Sequence, residues 1–316
     1  MIRYRPFLNT DPPAIAELWR NQPPLRAYVQ PMTASLLEHK VLSKPYFDRF
    51  GLIVAEQEGR LLGFIQACLP LGEQAQLRQQ GALAMLMVAH HTPAAEISAE
   101  LLLQAEKYLL HNGVTQAAVG GEVVNPYYLG LYGGSALTGV LASDALTVAR
   151  YEAADYQATI HSVVLQRDLR SFRPLIDRRQ MQVRRACQLE VALDPPADNW
   201  WTSCTLGAAE RTRYCLASRR GGEQLGSAML WEMTPLSASW GVHAAGISHL
   251  QVPDTQRRQG FATFLLGESL RQMAGQGIAM VEVTVDQKNA AAIGLFTKLG
   301  FHQVDASLTL KKRLAP

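Results

Sequence analysis

The chain has 316 residues, 48% of them hydrophobic and 18% charged, with a mean hydropathy of -0.03. That is about twice an ordinary domain and the composition of a folded protein, which excludes disorder, collagen-like repeats and a single small module. The net charge of +3 hides an asymmetry: residues 1–160 hold 11 Lys/Arg against 14 Asp/Glu, and residues 161–316 hold 19 against 13. A polyanionic ligand is better hosted by the C-terminal half. The longest apolar run, Ala82 to Ala89, is far short of the roughly 18 residues that cross a bilayer. Met1-Ile-Arg-Tyr-Arg5 opens onto no apolar leader, so a cytoplasmic protein without a membrane partner is expected. Cys68, Cys187, Cys204 and Cys215 form no C-x-x-C pair, which predicts reduced thiols and no metal site.

In chain order, the pattern predicts a strand at Ile2 to Phe7, then a helix capped by Asp11 with proline in its first turn, burying Ile15, Leu18 and Trp19. A second helix follows at Ala34 to Val41. Strands at Leu52 to Glu56 and Leu61 to Leu69 form a hairpin through Glu58-Gly59-Arg60. Then come a buried strand (Ala82 to Ala89), an amphipathic helix (Pro93 to His111) closed by Gly113, and a strand (Gln116 to Val124). A short helix from Asn125-Pro126 and strands around Asp144 to Ala149 and Thr159 to Leu169 complete the half.

The second half repeats this order. A strand at Gln182 to Leu189 precedes a hairpin, Arg213 to Ser218 with Gln224 to Met233, turning at Gly221-Gly222. A strand ending at Val252, a helix from Gly260 to Gln276 closed by Gly277, a strand (Ala279 to Asp286), a short helix from Asn289 and a strand (His302 to Leu310) follow. A constant offset of 164 takes Val88 to Val252, Leu101-Leu102 to Leu265-Leu266, Gly113 to Gly277, Val119 to Val283, Asn125 to Asn289 and Gly130-Leu131 to Gly294-Leu295. Two copies of one α/β fold are expected, as domains 1–170 and 171–316, joined near Ser171 to Gln180.

The segment from Leu250 to Ala262 runs from a strand end through a basic, glycine-containing loop into a helix. Unpaired N–H groups and the positive end of the helix dipole make such a place an anion cradle. Gly260 and Ala262 keep the loop small, while Arg257 and Arg258 add charge.

Here the chain resembles the GNAT superfamily of N-acetyltransferases. Arg257-Arg258-Gln259-Gly260-Phe261-Ala262 fits that family's loop pattern of Arg or Gln, two residues, Gly, one residue, then Gly or Ala. Asn289-Ala-Ala-Ala-Ile-Gly-Leu-Phe-Thr-Lys-Leu-Gly-Phe301 resembles its short helix and following strand. The resemblance covers roughly residues 180 to 316, and the two-copy plan is similar to that of mycothiol synthases.

The resemblance implies two tandem GNAT-fold domains, an α/β (α+β) architecture in which each is a mixed, mostly antiparallel twisted sheet flanked by helices. It also implies acetyl-CoA as co-substrate and acetyl transfer to an amine, a small molecule being favoured, by direct attack in the C-terminal domain. Leu250, Gln251 and Val252 would pair with the pantetheine arm, and Arg257, Arg258, Gln259, Gly260, Phe261, Ala262 and Thr263 would hold the pyrophosphate. Asn289, Ala292 and Phe296 would line the far wall. No metal is implied.

Two departures follow. Phe296 stands where the family has a tyrosine acid, and Gly246 where it often has a glutamate. Glu232, His249 and Asp286 are the candidates for a base. In the N-terminal copy Glu96 replaces the loop glycine, which disfavours CoA, while Tyr132 stands at the tyrosine position. Only about 25 residues separate the first two strands of the C-terminal copy, against about 45 in the first, so its acceptor side is open or roofed by the other domain. Trp200-Trp201, Trp231 and Trp240 are candidate aromatic walls. Seven arginines from Arg167 to Arg185 mark a solvated face or a contact for the CoA 3′-phosphate. Two chemical readings stand: an acetyl-CoA-dependent N-acetyltransferase, or a non-catalytic acyl-CoA-binding regulatory module. Nucleic acid is not an expected partner.

Overall fold

The computed structural model describes residues 1–45, 47–70, 79–120, 128–136, 139–197, 200–206 and 208–315, with Trp200, Trp201 and Thr205 described by backbone only. Its elements begin with β1 (Arg3–Pro6), α1 (Pro12–Arg20), α2 (Ala34–Leu37, continued by a π-helical turn, Glu38–Leu42), β2 (Leu52–Gln57) and β3 (Arg60–Cys68). Next are β4 (Gln80–Val88), α3 (Ala94–His111), β5 (Gln116–Val119), β6 (Val140–Leu141), α4 (Ala145–Ala153) and β7 (Gln157–Asp168). The second half contains α5 (Arg178–Ala186), β8 (Cys187–Leu193), α6 (Trp200–Leu206), β9 (Arg211–Ser218), β10 (Gln224–Glu232) and α7 (Thr234–Trp240). It ends with β11 (Ala244–Gln251), α8 (Phe261–Gly275), β12 (Met280–Asp286), α9 (Ala290–Lys298) and β13 (His302–Arg313).

Two compact units form. The first is Met1–Gly133, Leu137–His161 and Ala306–Pro316; the second is Gly134–Ala136 and Ser162–Asp305. They differ from the contiguous segments 1–170 and 171–316 because the last strand of each half pairs outside that half. In the first unit β13 lies antiparallel to β5, with Leu310 opposite Val119 and Arg313 opposite Gln116. In the second, β7 lies antiparallel to β12, with Leu165 opposite Val283 and Asp168 opposite Met280.

The first sheet runs β1-β2-β3-β4-β5-β13 and the second β8-β9-β10-β11-β12-β7. Each has one parallel pair, β4 with β5 and β11 with β12, among antiparallel neighbours. The mixed, mostly antiparallel fold expected from the sequence is therefore present in both units. One face of each sheet is buried under a long helix: Ile97, Leu101, Leu102, Ala105 and Leu109 of α3, and Leu265, Leu266, Leu270 and Met273 of α8. Each of these leucine, isoleucine and methionine side chains contributes roughly 1.5–3 kcal/mol by leaving water.

The 164-residue spacing survives in the backbone. Gln80 to Ala82 pair with Gln116 to Ala118, and Ala244 to Gly246 pair with Met280 to Glu282. Ala84 is an unpaired extra residue in β4, and Ser248, 164 positions on, is the same in β11. Gly113 and Gly277 close α3 and α8 in the left-handed conformation, at φ 81° and 92°. Asn125-Pro126 and the end of the strand expected to Val124 lie outside the described residues.

Three local expectations are corrected. Asp144 to Ala149 is not a strand: Asp144 caps α4, accepting from Thr147 N–H at 3.4 Å. Gln182 to Ala186 belongs to α5, because Asp177 caps that helix by accepting from Gln180 N–H at 2.8 Å, and the strand begins only at Cys187. Asp11 makes no side-chain cap bond; its carboxylate binds Arg5 and accepts from Leu8 N–H at 2.7 Å. The short helices α6 and α7 were not anticipated, and α6 occupies the connection between β8 and β9.

Asp144 also accepts from the hydroxyls of Tyr28 at 2.9 Å and Tyr132 at 3.1 Å, and is almost wholly buried. Asp144→Ala removes the cap and leaves two buried hydroxyls short of a partner. A destabilisation of about 2–4 kcal/mol is expected in urea unfolding.

Candidate functional site

The site is built where two parallel strands part. β11 and β12 are paired only from Ala244 to Gly246 and from Met280 to Glu282, and both continue beyond. The extra residue Ser248 sits just past that point, and such a bulge bends its strand. The later part of β11 therefore turns an unladdered backbone edge toward the opening, and an extended ligand arm can add to it as a strand would.

At the mouth of the opening, the chain leaves β11, makes a 3-10 turn at Asp254–Gln256 and enters α8. Arg258 and Gly260 have φ of 62° and 89°. The first bond of the α8 ladder is Phe264 N–H to Gly260 O at 3.0 Å. The N–H groups of Phe261, Ala262 and Thr263 precede that ladder and stand at the positive end of the dipole. Glycine is favoured there by the left-handed conformation, and a Cβ on Gly260 would also meet the Arg179 Cδ at 2.8 Å, so that side chain would have to move. Arg257 is engaged with Asp254 at 2.6 Å.

The remaining expected ligand contacts are distributed as follows. Leu250, Phe261 and Ala292 pack against the core of this unit, while Gln251 is exposed at the end of β11. Gln259 donates to Gln256 Oε1 at 3.1 Å, within the loop. Val252 lies just beyond β11, its carbonyl 3.5 Å from Arg257 Nε. Asn289 caps α9, accepting from Ala292 N–H at 3.1 Å. Phe296 is buried edge-to-face on Phe301, with ring centroids 5.1 Å apart.

Of the three candidate bases, two lie beside the opening. Four residues past the last β11–β12 pair stand Leu250 on one side and Asp286 on the other, with exposed His249 adjacent to Leu250. Asp286 forms the turn into α9, its carboxylate accepting from Lys288 N–H and its carbonyl from Asn289 N–H, both at 2.8 Å. Glu232 is paired with Ala245, five residues from Leu250 and about 16 Å away at strand rise. The structure does not bring it to the opening.

One carboxylate was missed. Glu282, at the last pair before the strands part, is fully buried; it accepts from Ser135 N–H at 2.8 Å and from the Gln166 amide at 2.9 Å. Gly134, at φ 131°, leaves no room for a Cβ beside this carboxylate. Gly246 is equally constrained, for a Cβ there would lie 2.7 Å from Trp231 Nε1 and 2.8 Å from Ser135 Cβ. A glutamate at Gly246 has no space. Alternation in Val281-Glu-Val-Thr-Val285 gives the face of Glu282, but its partner Ser135 is 147 residues distant in sequence.

The first unit has the same three-residue parallel pair and extra residue but not the loop. Only residues 89–93 separate β4 from α3, and Glu96 sits in the first turn of the helix. Burial and the charges of Glu100 and Glu96 raise the Tyr4 phenol above its ordinary value, which marks this terminus as acidic. Tyr132 is locked between Asp144 and Leu141 N–H, and burial, with the Asp144 charge, pushes its phenol well up. The arginine cluster is divided: Arg170 pairs with Asp168, Arg167 donates to Gly300 O at 3.1 Å, and Arg179 lies on Gly260. Trp231 is buried, Trp240 is half-buried, and the side chains of Trp200 and Trp201 lie outside the description. None of the four cysteines is in a disulfide among the described residues. Among the described residues there is no metal-holding cluster and no helix long and apolar enough to cross a membrane.

Residues 178–301 match the acetyltransferase (GNAT) family. They form a GNAT-family acetyltransferase domain. The whole chain is similar in fold to a tandem GNAT protein from the clavulanic acid biosynthesis pathway, at TM-score 0.70 and 13% identity over 100% of this chain and 99% of that one. It is also similar to a GCN5-related N-acetyltransferase from Sphaerobacter thermophilus, at TM-score 0.65 and 15% identity over 100% and 96% of the two chains. A GCN5-related glucosamine N-acetyltransferase region of a fungal multi-domain protein aligns at TM-score 0.73 and 12% identity, over 99% of this chain and 38% of that one. Comparison with curated proteins found no match. At these identities the likeness establishes a tandem GNAT fold.

Gly260→Ala forces a side chain into a left-handed conformation and against Arg179. A loss of roughly 1–3 kcal/mol in unfolding free energy is expected, with CoA affinity in calorimetry falling at least tenfold.

Proposed function

We propose that the second unit binds acetyl-CoA and transfers its acetyl group to the amine of a small molecule by direct attack. The observation that carries this reading is the parted β11–β12 pair with the unladdered N–H groups of α8 at its mouth. Its parts match the two ends of such a ligand. The backbone at Leu250, Gln251 and Val252 would pair with the amides of the pantetheine arm. The loop from Arg257 to Thr263 would receive the pyrophosphate, for which the left-handed Gly260 permits close backbone approach. Ala292 and Asn289 at the start of α9 would border the acyl end.

In the reaction, a neutral amine attacks the thioester carbonyl, a C–N bond forms, and the C–S bond breaks as the thiolate departs. His249 is the favoured acceptor for the amine proton: it is exposed beside the opening and its side chain makes no structural bond among the described residues. Asp286 is bound into the turn before α9, and Glu232 is remote. A thiol titrates near 8.5, so a thiolate leaves without the tyrosine acid that Phe296 replaces, at the cost of some rate. The acidic terminus of α3 and the locked Tyr132 leave acetyl transfer to the second unit. The buried Phe296 also favours a second reading, an acyl-CoA-binding regulatory module without turnover.

Thiol release from acetyl-CoA by the full-length protein across a panel of small amines separates the two. Acceptor-dependent release is expected, with His249→Gln lowering kcat by about 100- to 1,000-fold and changing the CoA Kd by no more than about twofold. Tight CoA binding with no release for any amine would leave the regulatory reading.

A further inference from the structure

Helix α5 precedes the first strand of the second unit and lies outside the loop motif, yet it is fastened to the start of α8. Gln180, 5% exposed, directs its amide Nε2 to Gly260 O at 3.4 Å. Val183 joins the core, and Pro174 lies beside α8, its Cβ 3.5 Å from where a Cβ on Gly267 would stand. These contacts hold the first turn of α5, itself capped by Asp177, against the loop.

Arg179 follows from that placement. Its Cδ and Cγ lie 2.8 and 3.1 Å from the position of a Cβ on Gly260, so the aliphatic stem covers the glycine directly. The residue is exposed and makes no ion pair among the described residues. Arg257 of the loop motif, by contrast, is engaged with Asp254 at 2.6 Å. The site's side chains thus differ from what the motif alone suggests: one of its two arginines lies in an exposed ion pair, and a further arginine, from another helix, lays its stem on the loop glycine.

We infer that α5 is the second wall of the phosphate site and that Arg179 holds a phosphoryl group of the acyl-CoA. The inference rests on the reading of the loop as a CoA site. A guanidinium suits the role because its fork meets two phosphoryl oxygens at once, and because a stem packed on Gly260 loses little further freedom on binding. Gly260 then has two functions: it opens the backbone to the ligand and seats the stem of the arginine.

The experiment is calorimetric titration of the full-length protein with CoA and with 3′-dephospho-CoA, for wild type, Arg179→Met and Arg179→Lys. Methionine keeps an apolar stem over Gly260 and removes the charge; lysine keeps the charge and removes the fork. Arg179→Met is expected to weaken CoA binding by about 10- to 100-fold, with lysine recovering part of the loss and ligand-free thermal melting unchanged. A loss confined to CoA assigns the contact to the 3′-phosphate, and an equal loss with both ligands assigns it to the pyrophosphate. Wild-type binding with Arg179→Met within twofold for both ligands overturns the inference and leaves the site standing. A wild type that binds neither ligand overturns the reading of the site and this inference with it.

Discussion

Everything in the second unit that concerns chemistry depends on one discontinuity: a parallel strand pair that stops after three residues while both strands go on. Main-chain hydrogen bonding is obligatory, and a strand edge released from its neighbour is a ready place for an extended ligand. The release is built by the extra residue at Ser248, which changes the facing of β11 after its last pair with β12. The same discontinuity sets the entry of the chain into α8, so the unpaired N–H groups of that helix arrive at the mouth of the opening. Backbone geometry thus supplies an edge for an amide-bearing arm and a dipole for its anionic end before any side chain is considered.

The floor of the opening explains a departure from the family pattern that the sequence could only register. Gly246 is glycine because Trp231 and Ser135 already occupy the volume a side chain would need. The carboxylate in this region stands one strand away, on Glu282, where a backbone N–H and a side-chain amide satisfy it. A buried carboxylate is costly unless hydrogen-bonded, which ties Glu282 to the segment around Ser135 and accounts for the absence of a side chain at Gly134. Glu282 is held by structure in this arrangement.

Much of this was legible in the sequence, and the failures have physical causes. The loop, the closing glycines and the offset of 164 could be read because they are local: a left-handed residue after a helix or a phosphate loop constrains residue type wherever it occurs. The offset ends after Gly130-Leu131 because the first half then inserts β6 and α4, and within that insertion Leu146 and Val148 resemble the alternation of a strand until the Asp144 cap is recognised. In the same way, Val183 and Cys187 conceal the change from α5 to β8. Partner identity is harder still. That β13 pairs with β5, and β7 with β12, is a non-local fact which no periodicity records, and the burial of Glu282 depends on a segment far away in the chain.

The two halves share a backbone plan, so what distinguishes them chemically is small and can be located. In the first unit α3 begins at Ala94, three positions ahead of the counterpart of α8 under the offset, and the residues that would have made a loop are helix. That shift converts a nine-residue connection into five, removes the left-handed glycine and puts Glu96 near N–H groups that would otherwise be free for an anion. A carboxylate in the first turn is favourable for the helix and unfavourable for a phosphate, because both compete for the same positive dipole end. The first unit's helix thus carries a carboxylate, Glu96, in its first turn, while the second unit's helix begins at the left-handed Gly260 with the stem of Arg179 beside it.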